Sequence, residues 1–314
     1  LKTENSIDLS IIIPVYNEEE SIPALYNRLK EVMSETAYSF ELIFVDDGSK
    51  DNSLQVLREI KETSAINIRI VQLNRNFGQH PALNAGFSVA EGKVLITIDA
   101  DLQIDPRHIS DMMDKMKQGY DFVSGIRRGK GDSFLLRRFP SLVLNSMIGS
   151  IIGKKLQDYG CPLNAMRSEI AETMREYGEM QRFFKPLAIK LADRIAETEV
   201  KYDRRLTGQS KYGFLNLVDL FFDFVTNFSK HLFQRVAMIG FGLSGISFLV
   251  EILYLVLRFP FGIIQNPLDR LQAIALIGFV FGVQLLILGI LGDFVIKIYR
   301  KIDPKPLYII KKIW

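Results

Sequence analysis

Two apolar runs toward the C-terminal end limit what this chain can fold into. Val236–Leu257 carries a single charge, Glu251, and Ala273–Gly292 carries none. At 1.5 Å of rise per residue, a helix of about 20 residues spans roughly 30 Å, the hydrocarbon thickness of a bilayer. A soluble core would need a large partner layer to cover two such helices, so the pattern predicts two transmembrane helices, at about 236–257 and 272–296. Up to about Ser210, by contrast, charges are as frequent as in a soluble domain. The 314 residues therefore divide into a polar domain over 1–212 and a membrane domain over 232–314 that ends in a basic tail. Lys297, Arg300, Lys301, Lys305, Lys311 and Lys312 follow the second run, whereas the connection between the runs has basic residues only at its margins, Arg258 and Arg270. Basic residues stay cytoplasmic, which predicts an integral membrane protein with its polar domain and both termini in the cytoplasm. The net charge of +3 makes no case for nucleic acid as a partner. The lone Cys161 cannot form an internal disulfide and fits a reducing compartment.

The polar domain alternates. Leu9–Val15, Phe40–Val45, Ile68–Leu73, Val94–Ile98 and Phe122–Ser124 read as strands, and Ser21–Ser34, Ser53–Thr63, Pro81–Ala90 and Arg107–Met116 read as helices between or after them. That order predicts an α/β fold with a Rossmann-like, mainly parallel sheet covered on both faces. Between this domain and the first apolar run, Asn216, Asp219, Asp223, Asn227 and Lys230 recur at three- and four-residue steps among Leu, Val and Phe. The stripe predicts an amphipathic helix over 213–231 lying in the membrane interface.

Chemistry gathers where the strands end. Asp99-Ala100-Asp101 closes the apolar run at Val94–Ile98, and two carboxylates one residue apart can hold a divalent cation while leaving positions for a diphosphate. Pro14-Val15-Tyr16-Asn17-Glu18 and Val45-Asp46-Asp47-Gly48-Ser49 end the first two strands in the same way. Three such exits mark the edge at which open α/β sheets bind ligands. Neither a G-x-x-x-x-G-K-[ST] loop nor a G-x-G-x-x-G after a strand is present, which excludes the usual phosphate cradles. Tyr16 is placed to stack on a base and Asp46 to accept hydrogen bonds from a uracil or ribose. Arg127 and Arg128 follow the fifth strand. Arg137, Ser141 and Asn145 share one face near the start of a predicted helix, where guanidinium, hydroxyl and helix N-terminus suit a phosphate. A solvated basic face is the alternative.

Taken together, the P-V-Y-N-E, V-D-D-G-S, N-x-G-x-x-x-A-x-x-A-G and D-A-D-L-Q segments resemble the inverting, GT-A glycosyltransferases of family 2. With two C-terminal spans the likeness is to polyprenyl-phosphate glycosyltransferases, such as the bactoprenol (undecaprenyl-phosphate) glucosyltransferases of lipopolysaccharide O-antigen modification and the dolichyl-phosphate mannose synthases. The resemblance implies a nucleotide-sugar pocket of Pro14, Tyr16, Glu18, Asp46 and Asp47, with Asp99 and Gln103 beside it. It implies Mg²⁺ or Mn²⁺ on Asp99 and Asp101, and a place for the lipid phosphate at Arg127, Arg137 and Ser141. Arg205 and Lys211 join that group through a segment similar to the family's R-x-x-G-x-S-K.

Asp158, in Asp158-Tyr159-Gly160-Cys161, stands where such enzymes keep a catalytic base, and with Asp101 it is the expected catalytic residue. The family often continues C-x-L-R, whereas this chain has Cys161-Pro162-Leu163-Asn164, so no basic residue stands at 164. A phosphate acceptor has a second pKa of about 6 and attacks without a base, which leaves Asp158 as base or as orienting group. The activity implied is transfer of a hexose, glucose from UDP-glucose first, to a polyprenyl phosphate in a bacterial inner or plasma membrane. GDP-mannose, UDP-N-acetylhexosamine and UDP-aminosugars are the alternative donors, and a homo-oligomer is compatible with the sequence. A membrane scaffold with an inactive domain is the alternative of another class; it would be expected to have lost the D-x-D.

Overall fold

Parallel strands covered on both faces need continuous apolar runs, and Ile11, Ile12 and Ile13 at the centre of the first strand are wholly buried. The structure, a computed structural model, describes residues 7–128, 153–154, 156–202, 232–259, 270–299 and 307–314. It has two units, one of Leu1–Tyr212 with Lys305–Trp314 and one of Gly213–Pro304.

In the first unit the order is β1 (Leu9–Val15), α1 (Ile22–Ser34), β2 (Phe40–Asp46), α2 (Ser53–Thr63), β3 (Ile68–Leu73), α3 (Gln79–Val89), β4 (Val94–Thr97), α4 (His108–Lys117) and β5 (Phe122–Arg128). There follow β6 (Asn164–Arg167), α5 (Ser168–Met174), a 3₁₀ stretch over Arg175–Phe183, α6 (Phe184–Leu191) and β7 (Ile195–Lys201). The described strands form one sheet in the order β7-β5-β6-β4-β1-β2-β3-β8. β1 is parallel to both neighbours, with Val15 beside Asp46 and Ile12 beside Thr97, so the exits of β1, β2 and β4 lie close together at one edge. The amphipathic helices dock by regular spacing, as α1 does through buried Ile22, Leu25, Leu29 and Met33.

Three strands were not expected. β6 runs antiparallel between β4 and β5, yet is only four residues long and has no apolar run to announce it. β7 pairs with the full length of β5, which carries β5 through Arg128. Arg127 and Arg128 are thus part of the strand rather than residues that follow it. β8 (Ile310–Ile313) corrects the expectation of a basic tail belonging to the membrane domain, because it pairs antiparallel with β3 at the end of the sheet. There Trp314 donates its N–H to Ile70 O at 2.9 Å and lies 4.0 Å from the Arg58 guanidinium. β8 itself then forms the edge, and being only four residues long with two lysines it is a poor template for pairing with other chains.

The second unit contains α7 (Leu232–Arg258) and α8 (Arg270–Tyr299), packed against each other. Their segments Phe233–Arg258 and Gln272–Val295 are long and apolar enough to cross a membrane. Met238, Phe241, Leu276, Ile277 and Leu288 are among the large apolar side chains left outward, a surface suited to lipid and not to water. Inside the pair, Gln272 Nε2 donates to Glu251 Oε1 at 3.1 Å, which gives the carboxylate a partner across the helices. The helix expected over 213–231 lies outside the described residues.

Candidate active site

Where β1 and β2 end, their loops are stitched together by short polar side chains. Ser49 Oγ accepts from the Asn17 N–H at 3.1 Å, Asn17 Oδ1 from the Lys50 N–H at 2.8 Å, and Ser53 Oγ from the Glu18 N–H at 2.9 Å. Asn17 has φ 55, a left-handed conformation that asparagine tolerates better than most residues. Gly48, at φ 69, has no alternative: a Cβ there would fall 2.6 Å from the Arg75 carbonyl carbon. Pro14, Tyr16 and Glu18 lie half-buried at this exit.

The two adjacent aspartates of β2 have separate tasks. Asp46 is buried and accepts from the Ser49 N–H at 3.1 Å, and desolvation raises its pKa above the ordinary carboxylate value. Asp47 accepts from the N–H groups of Phe77 and Gly78 at 2.7 and 2.8 Å, fixing the loop that starts α3. Burial outweighs those bonds and pushes its pKa up to about 6. The structure therefore makes Asp47 a clamp on the 77–78 backbone, where the sequence had grouped it with nucleotide ligands.

That clamp sets Gln79, whose Nε2 donates to Asp99 Oδ1 at 2.6 Å. Asp101 Oδ1 accepts from the Gln103 N–H at 3.1 Å across Leu102, which stands at φ 55. A leucine in the left-handed region is strained, and such strain gathers at functional sites. Among the described residues no three His, Cys, Asp or Glu side chains converge into a ready-made metal cage. Two half-buried carboxylates fit instead the way Mg²⁺ and Mn²⁺ are held, by one or two carboxylates completed by substrate phosphates.

A second cluster meets this one through Tyr202, whose hydroxyl donates to Gln103 Oε1 at 2.7 Å and whose ring lies 5.4 Å from the Arg127 guanidinium. Arg127 grips Asp158 by a fork, Nε to Oδ2 at 2.8 Å and Nη2 to Oδ1 at 2.9 Å, and its backbone N–H reaches Oδ2 at 3.2 Å. Burial works against the Asp158 charge, but the Arg127 bonds and charge prevail and hold its carboxyl below the ordinary range. A carboxylate so held is a weak base and a good anchor. Behind it, Lys185 is buried, with Nζ 2.8 Å from Asp158 O and 3.2 Å from Cys161 O, and desolvation lowers its pKa to about 8. His80, packed 6.2 Å from the Phe184 ring, is pushed down to about 4 by desolvation and is neutral at pH 7.

Of the expected site residues, Arg137, Ser141, Arg205 and Lys211 lie outside the described residues. The structure adds Gln79, Tyr202 and Lys185. Gln79 was within reach of the sequence, next to Gly78 in the N-x-G motif. Lys185 left a trace, as a cation in the apolar run Phe183–Ile189, whereas Tyr202 gave no signal.

A mixed, mainly parallel sheet with paired carboxylates beyond its central strands is the arrangement expected of the GT-A fold. The model of Glycosyl transferase family 2 matches residues 10–175. Over 315 residues the chain is 36% identical to an undecaprenyl-phosphate 4-deoxy-4-formamido-L-arabinose transferase of Shewanella sediminis, covering 100% of this chain and 95% of that one. A transferase of the same name from Proteus mirabilis is 37% identical over 305 residues, 97% of this chain and 93% of its own. The crystal structure of a mycobacterial protein shares the fold at a TM-score of 0.50 and 17% identity, covering 70% of this chain and 73% of that one. The chain belongs to glycosyl transferase family 2.

Proposed function

We propose that this glycosyltransferase moves an aminosugar of the 4-deoxy-4-formamido-L-arabinose kind from a nucleotide-linked donor to a polyprenyl phosphate such as undecaprenyl phosphate. The observation that carries the reading is the match to transferases of that name, which spans the whole chain. It reverses the order of donors drawn from the sequence: glucose gives way, and with it O-antigen glucosylation, and the aminosugar alternative comes first. Residues 1–212 are the catalytic domain, and the two apolar helices Leu232–Arg258 and Arg270–Tyr299 form the membrane domain. The chain leaves the catalytic sheet after β7 and rejoins it at β8, a connectivity that supports an even number of crossings. Lys297 and the basic residues after it favour the cytoplasmic side for that domain.

Tyr16 stacks on the base, Asp46 accepts from base or ribose, and Pro14, Glu18 and Gln103 shape the pocket. Asp99 and Asp101 would hold a Mg²⁺ or Mn²⁺ ion, which when bound would stabilise charge on the departing diphosphate. Arg127 turns its remaining N–H groups to the acceptor phosphate, with Asp158 fixing its plane, and Arg137, Ser141, Arg205 and Lys211 complete that phosphate site. The phosphate oxygen, ionised above a pKa of about 6, attacks the anomeric carbon opposite the diphosphate and inverts it. The test is a panel of radiolabelled nucleotide sugars with undecaprenyl phosphate in detergent. The formamido-arabinose nucleotide is expected to label the lipid best. Preference for UDP-glucose would restore glucose, and a lipid unlabelled by every donor would overturn the acceptor.

A further inference from the structure

We infer that Lys185 is a positioning residue for the transfer: its buried ammonium staples the Asp158–Cys161 loop from behind and thereby sets the Arg127–Asp158 pair that meets the acceptor phosphate. The inference rests on the reading that this pair serves the acceptor.

Lys185 lies in the first turn of α6, beside buried Phe184, Leu187, Ala188 and Ile189, and is itself 3% exposed. An ammonium in such a place loses its hydration, and an apolar residue of the same length would pack there without that cost. What holds it is the loop. Nζ reaches Asp158 O at 2.8 Å and Cys161 O at 3.2 Å, the carbonyls at the two ends of the four-residue turn. Asn164 Nδ2 donates to the same Cys161 carbonyl at 3.2 Å. Where the family often has a basic residue, position 164 here is neutral, and the cation that meets the same Cys161 carbonyl comes from α6.

The opposite side of the turn faces Arg127. The Asp158 carboxylate takes the Arg127 fork and also the Gly160 N–H at 2.9 Å, and a Cβ at Gly160 would sit 2.5 Å from Arg127 Nη2. With so little slack, the path of 158–161 sets the plane of the guanidinium. Two of its five N–H donors are committed to Asp158 and the guanidinium also bonds the Tyr202 side chain, so a phosphate would be met by the N–H groups beyond these. Lys185 therefore reaches the acceptor through the loop, whereas its route toward the D-x-D runs on through Arg127, Tyr202 and Gln103, further from the nucleotide than from the acceptor pair.

The test compares the full-length wild type with Lys185→Met and Lys185→Gln in detergent. Hydrogen–deuterium exchange of peptides spanning 156–163 reads the staple, and kinetics with undecaprenyl phosphate alongside nucleotide affinity reads its consequence. In Lys185→Met the 156–163 amides should exchange faster while β1 and β4 stay protected. The acceptor KM should rise about tenfold, in keeping with loss of a charged hydrogen bond, with nucleotide Kd within about twofold. Lys185→Gln, which keeps an N–H donor, should fall between. Unchanged exchange in the loop, or equal losses for nucleotide and acceptor, would overturn the inference. If Lys185→Met fails to fold, Lys185→Gln decides, and normal exchange with a normal acceptor KM rejects the staple. Should the wild type itself leave the lipid unlabelled, faster exchange in the variants still upholds the staple, and the failure belongs to the acceptor reading.

Discussion

Replacing Asp158 by Asn separates an anchoring carboxylate from a catalytic base. The side chain keeps its shape but offers one acceptor where the Arg127 fork needs two, so Nη2 meets an amide N–H in place of Oδ1, now 2.9 Å away. A hydrogen bond involving a charged group is worth about 1.5–3 kcal/mol. Carried into the transition state, that is about 10- to 150-fold in use of the lipid, at 1.36 kcal/mol per tenfold. Asp158 is partly shielded rather than deeply buried, with 13% of its side chain exposed, so the lower part of the range is expected. The assay is the pH dependence of kcat/KM for undecaprenyl phosphate in wild type and variant. If Asp158 orients and the phosphate attacks unaided, both profiles rise through the acceptor's own pKa of about 6 and differ only in height. A profile whose acidic limb disappears in the variant, or a dead variant with normal affinity for both substrates, would refute the reasoning and make Asp158 the base.

Asp99→Ala or Asp101→Ala should lower transfer by about 10³-fold or more, as loss of metal-borne stabilisation of the leaving group does. Near-normal turnover together with insensitivity to EDTA would remove the metal from the site. For Asp47 the folded pKa of about 6 lies above the unfolded value, so the proton is held more tightly in the folded state. Its contribution to stability is full below about pH 4 and declines as the pH rises to about 6. The thermal midpoint of the wild type should therefore fall relative to Asp47→Asn over that interval, and a constant difference would show that Asp47 does not titrate there. Gly48→Ala should cost roughly 2 kcal/mol, from a left-handed φ of 69 and a Cβ 2.6 Å from the Arg75 backbone. In a domain of this size that is roughly 4–8 °C in Tm, and an unchanged melt would contradict the close approach.

What the amino-acid order determined by itself were features written in local pattern. Period-two and apolar runs marked β1 to β4, 3.6-residue spacing marked α1 to α4, and uninterrupted apolar length marked the two C-terminal helices. The positions of Pro14, Tyr16, Asp46, Asp99 and Asp101 at or just beyond strand ends were legible because a strand exit is a local event. Tertiary structure alone decided the rest, because it depends on contacts between distant segments. β6 has only Ala165 and Met166 to bury between polar or exposed ends, and it becomes a strand because β4 and β5 leave a gap between them. β8 reads as a basic tail until the open edge of β3 supplies its partners. Asp46 and Asp47 are equivalent as letters. Only the fold, which turns one carboxylate to Ser49 and the other to the 77–78 backbone, gives them different work. Lys185 is the sharpest case, since a lysine in an apolar helix has no meaning until the carbonyls of residues 158 and 161 arrive from 24 or more residues away to receive it.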